Sequence, residues 1–338
     1  MMRSLTLLVV VLLLVGCKSE PKLVVLSGQA LGTGYQVQFY ANERFEVAQK
    51  FDSTVAAINQ SMSTYQPDSD ISRINAGDTS VVVDEMFKEV LALSRTVYQA
   101  TKGYYDPTVG ILVNAYGFGP GKPIKQLDSV VLDSLKAYVG LDKIKISEAG
   151  KILKENQSVY LDFNSIAKGY CIDRIGVMLE QNGVENYLIE LGGELLAKGK
   201  NLDKDKPWRV GIENINAPVT DRDYTEAVTL INKGMAGSGN YRKFRVDTVT
   251  GQRYVHTVNP LTGLAEKSDV LSATVIANSC AEADAFATAF MALGYERAKE
   301  VLANVAGIDA YLLYTQTEAD SVQVFMSANF QQYLVSSN

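Results

Sequence analysis

Apolar and polar residues alternate in several short stretches of the chain, and such alternation predicts half-buried β-strands. The longest of these stretches is LGTGYQVQFYA, residues 31–41, in which the run QVQF alternates strictly. Further strands are predicted at residues 158–162 and 187–191 and in the segments WRVGIE, AVTLI, FRVD and LSATVIA.

Helices are predicted where apolar residues recur every three or four positions. This spacing covers residues 45–60 and residues 86–101, and Gly103 is placed to end the second helix. A third helix is predicted from a cap at Asn164 or Ser165 to about residue 181, with a glycine two residues further on.

A fourth helix is predicted between Ser279 and Leu293, because Ser279 and Glu282 have the spacing of a capping box. Residues 62–75 and 103–123 are rich in turn residues and are expected to be loops, the second with a short helical insert. Strands and helices mix without a regular βαβ rhythm. We therefore expect an α+β fold, with mixed sheets flanked by helices in one compact unit of two intimate subdomains.

The composition of the chain excludes one class of function. The chain has 338 residues, enough for a substantial core, and 47% of them are hydrophobic. Its formal net charge is −6. Because no cluster of basic residues is present, we do not expect binding to nucleic acid.

The first residues have the pattern of an export signal. Arg3 precedes an apolar run over residues 5–15, which is too short to span a bilayer comfortably. The run ends in LVGC, which resembles a bacterial lipobox, so we expect residues 1–16 to be a signal peptide and Cys17 to be lipidated. Residues 17–27 would then be a tether to a bacterial membrane, on its periplasmic or cell-surface side. The alternative is a plain signal peptide with a chance cysteine.

Two further cysteines, Cys171 and Cys280, lie in apolar, helix-like runs. In an exported protein they could form a disulfide. Small buried thiols are also common in such runs, and we expect these two cysteines to be unpaired.

Acidic and hydroxyl side chains occur where two predicted helices could use them for chemistry. In YLDFNSIAKGY, a strand delivers Asp162 to the start of a helix, whose free N–H groups suit a phosphate; a plain cap explains this acid nearly as well. In SCAEADAFATAF, Asp284 and Thr288 share one helix face. Their oxygens suit Mg²⁺ or Ca²⁺, and the alternative is a hydrogen-bonded pair in the core.

The chain contains a single histidine, His256, in YVHTVNPLTG. Taken alone, this residue fits a structural role better than a catalytic one. The glycine-rich segments have neither the dinucleotide fingerprint nor the Walker spacing, and GSGN is not a nucleophile elbow. No His/Cys cluster has the spacing of a zinc site.

Taken together, the segments resemble the ApbE-type FAD:protein FMN transferases along nearly all of residues 28–338. The matching blocks, in order, are LGTGYQV, MSTYQPDSDISRIN, GYYDPTVGILVNAYGFG, YLDFNSIAKGYCIDRI, YLIELGGELLAKGKN, WRVGIEN, YVHTVNPLTG and SATVIANSCAEADAFATAFMALG. The resemblance implies an ApbE-like, T-fold-like architecture. It also implies Mg²⁺-dependent transfer of the FMN part of FAD to a threonine or serine hydroxyl of a target protein, with release of AMP.

The resemblance also assigns roles to individual residues. Asp284, Thr288 and Ser165 would bind Mg²⁺, and His256 would be the general base for the acceptor hydroxyl. The residues expected to contact FAD are Leu31, Tyr65, Ala115, Tyr116, Gly117, Asp162, Lys168 and Val258. Leu31 stands where the family usually has methionine, and its apolar packing should survive the change.

The acceptor implied by the resemblance is an exported or membrane redox subunit with a D-x-x-[S/T]-G-A-[S/T]-like segment. Two other functions stay open at this point. One is an FAD pyrophosphatase that yields FMN and AMP, with water in place of the acceptor hydroxyl. The other is a lipid-anchored FAD-binding protein without catalytic activity.

Overall fold

The computed structural model describes residues 20–42, 45–124, 127–215, 217, 223–240, 244–246, 253–317 and 321–335. The predicted signal peptide and Cys17 lie outside these residues. Within them, none of the helices combines the length and apolar character needed to cross a membrane.

Strands and helices both contribute to the fold. The strands are β1 (Lys22–Ala30), β2 (Thr33–Ala41), β3 (Ile144–Ile146), β4 (Ile152–Lys154), β5 (Tyr187–Leu191), β6 (Glu194–Lys198), β7 (Lys200–Asn201), β8 (Lys206–Glu213), β9 (Tyr224–Leu230), β10 (Lys233–Gly239), β11 (Phe244–Val246), β12 (Arg253–Val255), β13 (Val270–Ala277), β14 (Asp309–Tyr314) and β15 (Gln323–Met326). The helices are α1 (Val47–Met62), α2 (Asp70–Asn75), α3 (Glu85–Ala100), α4 (Gly110–Ala115), α5 (Ser129–Lys136), α6 (Ala167–Gln181), α7 (Cys280–Leu293) and α8 (Tyr295–Asn304), with 3₁₀ turns at Leu141–Lys143 and Phe330–Tyr333.

An eight-stranded antiparallel sheet organises the fold, in the order β1-β2-β5-β6-β10-β13-β14-β15. Helices α6 and α7 pack on one face of this sheet, α1 and α3 pack on these two helices, and together the elements enclose the main apolar core. The small sheet β7-β8-β9 covers part of the other face, and Trp208 and Ile212 are buried there in a second cluster. The expected α+β architecture of mixed sheets flanked by helices is confirmed.

Several predicted elements are confirmed, with small shifts at their ends. Helices α1, α3 and α7 and strand β5 lie where the pattern predicted them, and α4 is the predicted insert. The Ser279 hydroxyl accepts a hydrogen bond from the Glu282 N–H at 3.1 Å, as a capping residue does. Cys171 and Cys280 are both buried and unpaired, as expected.

The structure differs from the expected tether. Residues 22–27, placed in the tether, belong to β1, which pairs with β2 over its whole length from Lys22 to Ala30. The strand was missed because most of its side chains are exposed at the sheet edge, so they lack strict alternation. Its backbone pairs with β2, and the partly buried side chains of Val24 and Leu26 pack against the main core.

The strand expected at residues 158–162 does not form, apart from one isolated bridge between Tyr160 and Val109. The Asn75 side chain instead binds both backbone groups of Leu161, each at 2.8 Å. The Asp162 N–H donates to the Pro107 carbonyl at 2.7 Å. A side chain and a loop carbonyl therefore satisfy the backbone that a neighbouring strand would have paired.

Helix α6 begins at Ala167, later than expected, and neither Asn164 nor Ser165 caps it. The Asn164 N–H donates to Asp162 Oδ1 at 2.8 Å, which turns the chain before the helix can start. The segment at residues 70–75, expected to be loop, is the short helix α2, which Ser69 caps.

The backbones of α6 and β10 pack closely against the start of α7. A Cβ added at Gly169 of α6 would lie 2.4 Å from the Cys280 carbonyl oxygen. A Cβ added at Gly234 of β10 would lie 2.4 Å from the Cys280 nitrogen. Only glycine allows α6 and β10 to approach α7 so closely.

We expect Gly234→Ala to destabilise the protein by about 1–3 kcal/mol, because the added methyl group meets backbone that has no room to move. Urea unfolding measures this free energy. Gly237→Ala on the same strand is the control, since a Cβ there meets nothing within 4 Å. Equal unfolding free energies for the two variants would contradict the packing argument.

Candidate active site

Eight of the residues singled out from the sequence line one cavity of about 1660 Å³. They are Tyr65, Asp162, Ser165, Lys168, His256, Val258, Asp284 and Thr288. They come from the loop after α1, the turn before α6, the start of α6, one face of α7 and the segment after β12. The fold therefore assembles most of the predicted site.

Asp284 is 5% exposed and lies on a helix face of alanines and phenylalanines. Its Oδ2 accepts a hydrogen bond from the Gly169 N–H in the first turn of α6, at 3.1 Å. Burial raises the pKa of Asp284, while the Lys168 ammonium and the Gly169 N–H favour the ionised carboxylate. The carboxylate is thus held between two helices at the cavity wall.

Lys168 forms an ion pair with Glu194, with 2.5 Å between Nζ and Oε1. Burial alone would lower the pKa of Lys168, but the charges of Glu194 and Asp284 raise it above its ordinary value. Glu194 is 4% exposed and also lines the cavity. Burial raises the pKa of Glu194, and the Lys168 charge opposes the shift.

Sequence reasoning missed Glu194. It follows Gly192 and Gly193, which turn the chain between β5 and β6 with φ angles of 68° and 106°. The available signal was the run GGE directly after the buried strand β5, since a tight turn at a sheet end places the next side chain at that end.

Asp162 is buried at the cavity wall, and burial raises its pKa. Its Oδ1 accepts the Asn164 N–H, so it orders the turn that leads into α6. Asp162 therefore fits both interpretations of the sequence: it binds local backbone as a capping acid does, and it faces the cavity as a residue of a binding site does.

Two pairs of hydroxyl groups line the same cavity as Asp284. The Ser165 hydroxyl donates to Tyr105 Oη at 3.3 Å, and the Ser238 and Thr288 hydroxyl oxygens lie 3.4 Å apart. Tyr105 is buried, and burial raises its pKa, so it stays a neutral phenol at physiological pH. Sequence reasoning missed Tyr105 because its loop shows no periodic pattern.

His256 is half-buried at the cavity and lies just after β12. The next residue, Thr257, donates to Asn240 Oδ1 at 3.2 Å. Val258 is 5% exposed and packs in a small apolar cluster with Leu112, Tyr116 and Ala265. The segment that carries the histidine is therefore held by a hydrogen bond to the residue after β10 and by apolar packing against α4.

Four of the residues expected to contact FAD do not line the cavity: Leu31, Ala115, Tyr116 and Gly117. Leu31 lies in the β1–β2 turn with φ of 49° and packs against the main core. Ala115 and Tyr116 are buried, and Tyr116 Oη donates to the Gly263 carbonyl at 3.1 Å.

At Gly117, φ is 77°, and Arg245 occupies the space where a side chain would lie. Arg245 Nη1 donates to the Tyr116 carbonyl at 2.6 Å. The resemblance to the family assigned this loop to the flavin or the adenine. In the structure Ala115, Tyr116 and Gly117 support the histidine segment, while Phe118 of the same loop and the preceding Val113 line the cavity.

In the described part of the chain, no group of three or more His, Cys, Asp or Glu side chains is placed to hold a metal ion. The candidate donors are of a different kind: one carboxylate, Asp284, with the hydroxyls of Thr288 and Ser165. All are hard oxygen donors, the class that Mg²⁺ and Ca²⁺ prefer. A site with so few protein ligands suits a cation that keeps water and substrate oxygens.

A model of the ApbE family matches residues 31–312. The chain is 36% identical over 302 residues to the FAD:protein FMN transferase of Haemophilus influenzae, over 85% of this chain and 86% of that protein. It is 32% identical to the Escherichia coli K12 FAD:protein FMN transferase, over 98% and 97% of the two chains. The solved structure of the flavin transferase ApbE from Vibrio cholerae matches with a TM-score of 0.80 at 31% identity, over 93% of this chain and 100% of that one.

We expect Tyr116→Phe to lower the unfolding free energy by about 1 kcal/mol, because it deletes the buried hydrogen bond to Gly263. FAD affinity should not change, since the ring does not line the cavity. Urea unfolding and fluorescence titration with FAD measure the two effects. Tyr65→Ala is the comparison for FAD affinity, because Tyr65 is 59% exposed in the cavity. A weaker affinity for FAD in Tyr116→Phe than in Tyr65→Ala would make Tyr116 a flavin contact.

Proposed function

Because the chain belongs to the ApbE family, we propose that it transfers the FMN part of FAD to a threonine or serine hydroxyl of a target protein and releases AMP. The observation that carries the proposal is the meeting of His256, Lys168 and Asp284 in one cavity. These groups supply a base, a cation and a metal-type carboxylate, which are the parts that phosphoryl transfer requires.

In this reaction the acceptor hydroxyl oxygen forms a bond to the phosphorus of the FMN phosphate. The bond from that phosphorus to the bridging pyrophosphate oxygen breaks, and AMP leaves with the bridging oxygen. The hydroxyl proton passes to His256 and then to solvent. An imidazole, whose ordinary pKa is near neutrality, suits this proton transfer.

We propose Mg²⁺ as the cofactor, held by Asp284 and Thr288 with an oxygen from Ser165. The donor set supports the choice, because carboxylate and hydroxyl oxygens are hard ligands and Asp284 is a buried acid that needs a cation. When bound, the ion neutralises charge on the pyrophosphate oxygens.

The side chains of the cavity have separate tasks in binding FAD. The ammonium of Lys168, which lies in the first turn of α6 and is paired with Glu194, adds positive charge to the cavity wall where the phosphates would bind. Tyr65 is exposed in the cavity and offers an aromatic face for stacking on a flat ring. Asp162 offers an acceptor to hydroxyl or N–H groups of the ligand. Val258 supplies apolar contact beside them.

The size of the cavity supports a second, large substrate. Its 1660 Å³ exceeds the roughly 300–1,000 Å³ that a small-molecule ligand site usually has. The remaining space extends towards β8 and β9, along which consecutive residues line the cavity. We propose that an acceptor segment with a D-x-x-[S/T]-G-A-[S/T]-like sequence, from an exported or membrane redox subunit, enters there.

The experiment incubates the purified protein with FAD, Mg²⁺ and an acceptor domain that carries such a segment. We expect a fluorescent acceptor band on a denaturing gel and AMP release that depends on both acceptor and Mg²⁺. AMP release without any dependence on acceptor, and no labelled band, would instead show an FAD pyrophosphatase. FAD binding with no AMP under any condition would show a binding protein.

We expect His256→Ala to bind FAD with unchanged affinity and to lose flavin transfer by about 100-fold or more, as removal of a general base does. His256→Gln is the matched variant, because an amide can keep a hydrogen bond but does not titrate near neutrality. Single-turnover rates of acceptor labelling measure both. Transfer at the wild-type rate in His256→Gln would show that the histidine orients the acceptor by a hydrogen bond and is not the general base.

We also propose that the protein is exported and anchored to a bacterial membrane through a lipid on Cys17. The support is the apolar run ending in LVGC. Only residues 18–21 separate Cys17 from β1, so an anchored domain would lie close to the membrane surface. Cys17→Ser should abolish labelling by radioactive palmitate and move the protein from the detergent phase to the aqueous phase. Palmitate labelling that persists in this variant would rule out Cys17 as the lipidated residue.

A further inference from the structure

Three ionisable side chains lie together at the start of α6: the half-buried Lys168 and the buried acids Glu194 and Asp284. The electrostatic interactions of Lys168 include both acids, so one cation serves two carboxylates. With all three ionised, the group carries a net charge of −1. A buried excess of negative charge is costly unless a further cation binds.

The geometry of this cluster is asymmetric. Lys168 Nζ lies 2.5 Å from Glu194 Oε1, and among the described residues this is the ion pair that Lys168 makes. Asp284 instead accepts a hydrogen bond at 3.1 Å from the N–H of Gly169, the residue after Lys168. The first turn of α6 therefore contacts both acids. The Lys168 ammonium pairs with Glu194, whereas Asp284 is contacted by the Gly169 N–H.

Glu194 is not a fully satisfied structural residue. Its Oε2 is buried and, within the described residues, has no hydrogen-bond partner. A buried carboxylate with an unused oxygen costs stability. Packing and local hydrogen bonding do not account for an acid at this position.

We propose that Glu194 is a positioning residue that holds the Lys168 ammonium away from Asp284 and so keeps the Asp284 carboxylate open to a divalent cation. The inference rests on the proposed function, in which Asp284 is the metal ligand. Without the Glu194 charge, the Lys168 ammonium is attracted to Asp284, the other acid that contacts the first turn of α6. The ammonium then competes with the metal ion for the carboxylate.

The test measures divalent cation affinity on the purified full chain, without FAD or acceptor, by calorimetry with Mg²⁺ and electron paramagnetic resonance with Mn²⁺. We expect Glu194→Gln to weaken binding by about tenfold or more, because an opposite charge close to the ligand carboxylate now competes. The double variant Glu194→Gln/Lys168→Met should return to the wild-type affinity, since the competing ammonium is gone.

The chain supplies a matched control pair. Glu180 and Lys198 also join α6 to β6, with 2.8 Å between their charged atoms, but they are more exposed and lie outside the cavity lining. Glu180→Gln should leave Mg²⁺ affinity unchanged. A loss of affinity there as large as in Glu194→Gln would show a general effect on the helix and overturn the inference.

Two other results would also overturn it: wild-type affinity in Glu194→Gln, or a loss that Lys168→Met does not restore. If Glu194→Gln fails to fold, Glu194→Asp keeps the charge on a shorter side chain, and we expect a smaller loss of affinity that Lys168→Met again restores. A wild-type chain that binds neither cation would refute the metal part of the proposed function itself. Cation binding by the wild type together with unchanged variants would refute only the role of Glu194.

Discussion

The contact between α6 and the start of α7 determines where the reactive groups of this protein lie. The Asp173 carboxylate of α6 accepts the N–H groups of Cys280 and Ala281, each at 2.8 Å, so one helix caps the other. Four residues earlier, at Gly169, the helices approach so closely that a side chain would collide with backbone. Because both helices are fixed at this point, Lys168 and Asp284 are brought to the same wall of the cavity.

This contact also explains the composition of α7. Alanines such as Ala281, Ala283 and Ala285 are fully buried, because larger side chains would push α7 away from α6 and from β10. A carboxylate on such a helix is tolerated only where a neighbour donates to it, and Gly169 does so. The close packing that excludes large side chains thus also supplies the backbone donor for the buried acid.

Local signals in the sequence predicted much of the fold and, among the residues that line the cavity, Asp162, Asp284 and Thr288, whereas Tyr65, Lys168 and Val258 came from the resemblance to the family. The cap at Ser279 and the pair Asp284 and Thr288 depend on spacings of three or four residues, so they are visible in the sequence alone. Glu194 and Lys168 are separated in the sequence by most of α6, by β5 and by a tight turn, so no local pattern shows their contact. The same holds for Asn75, whose side chain replaces a neighbouring strand for Leu161.

The site is divided between two apolar clusters, and this division has consequences for how it responds to change. The acidic half, with Asp284, is built on helices of the main core, whereas the histidine segment packs in a small cluster with Leu112, Tyr116 and Ala265. A small cluster buries little apolar surface, so local opening there costs less free energy than global unfolding. The alignment of His256 with the rest of the site is therefore expected to be lost under milder conditions than the fold itself. The hydrogen bond from Tyr116 to Gly263 and the Arg245 contact to the Tyr116 carbonyl oppose this opening.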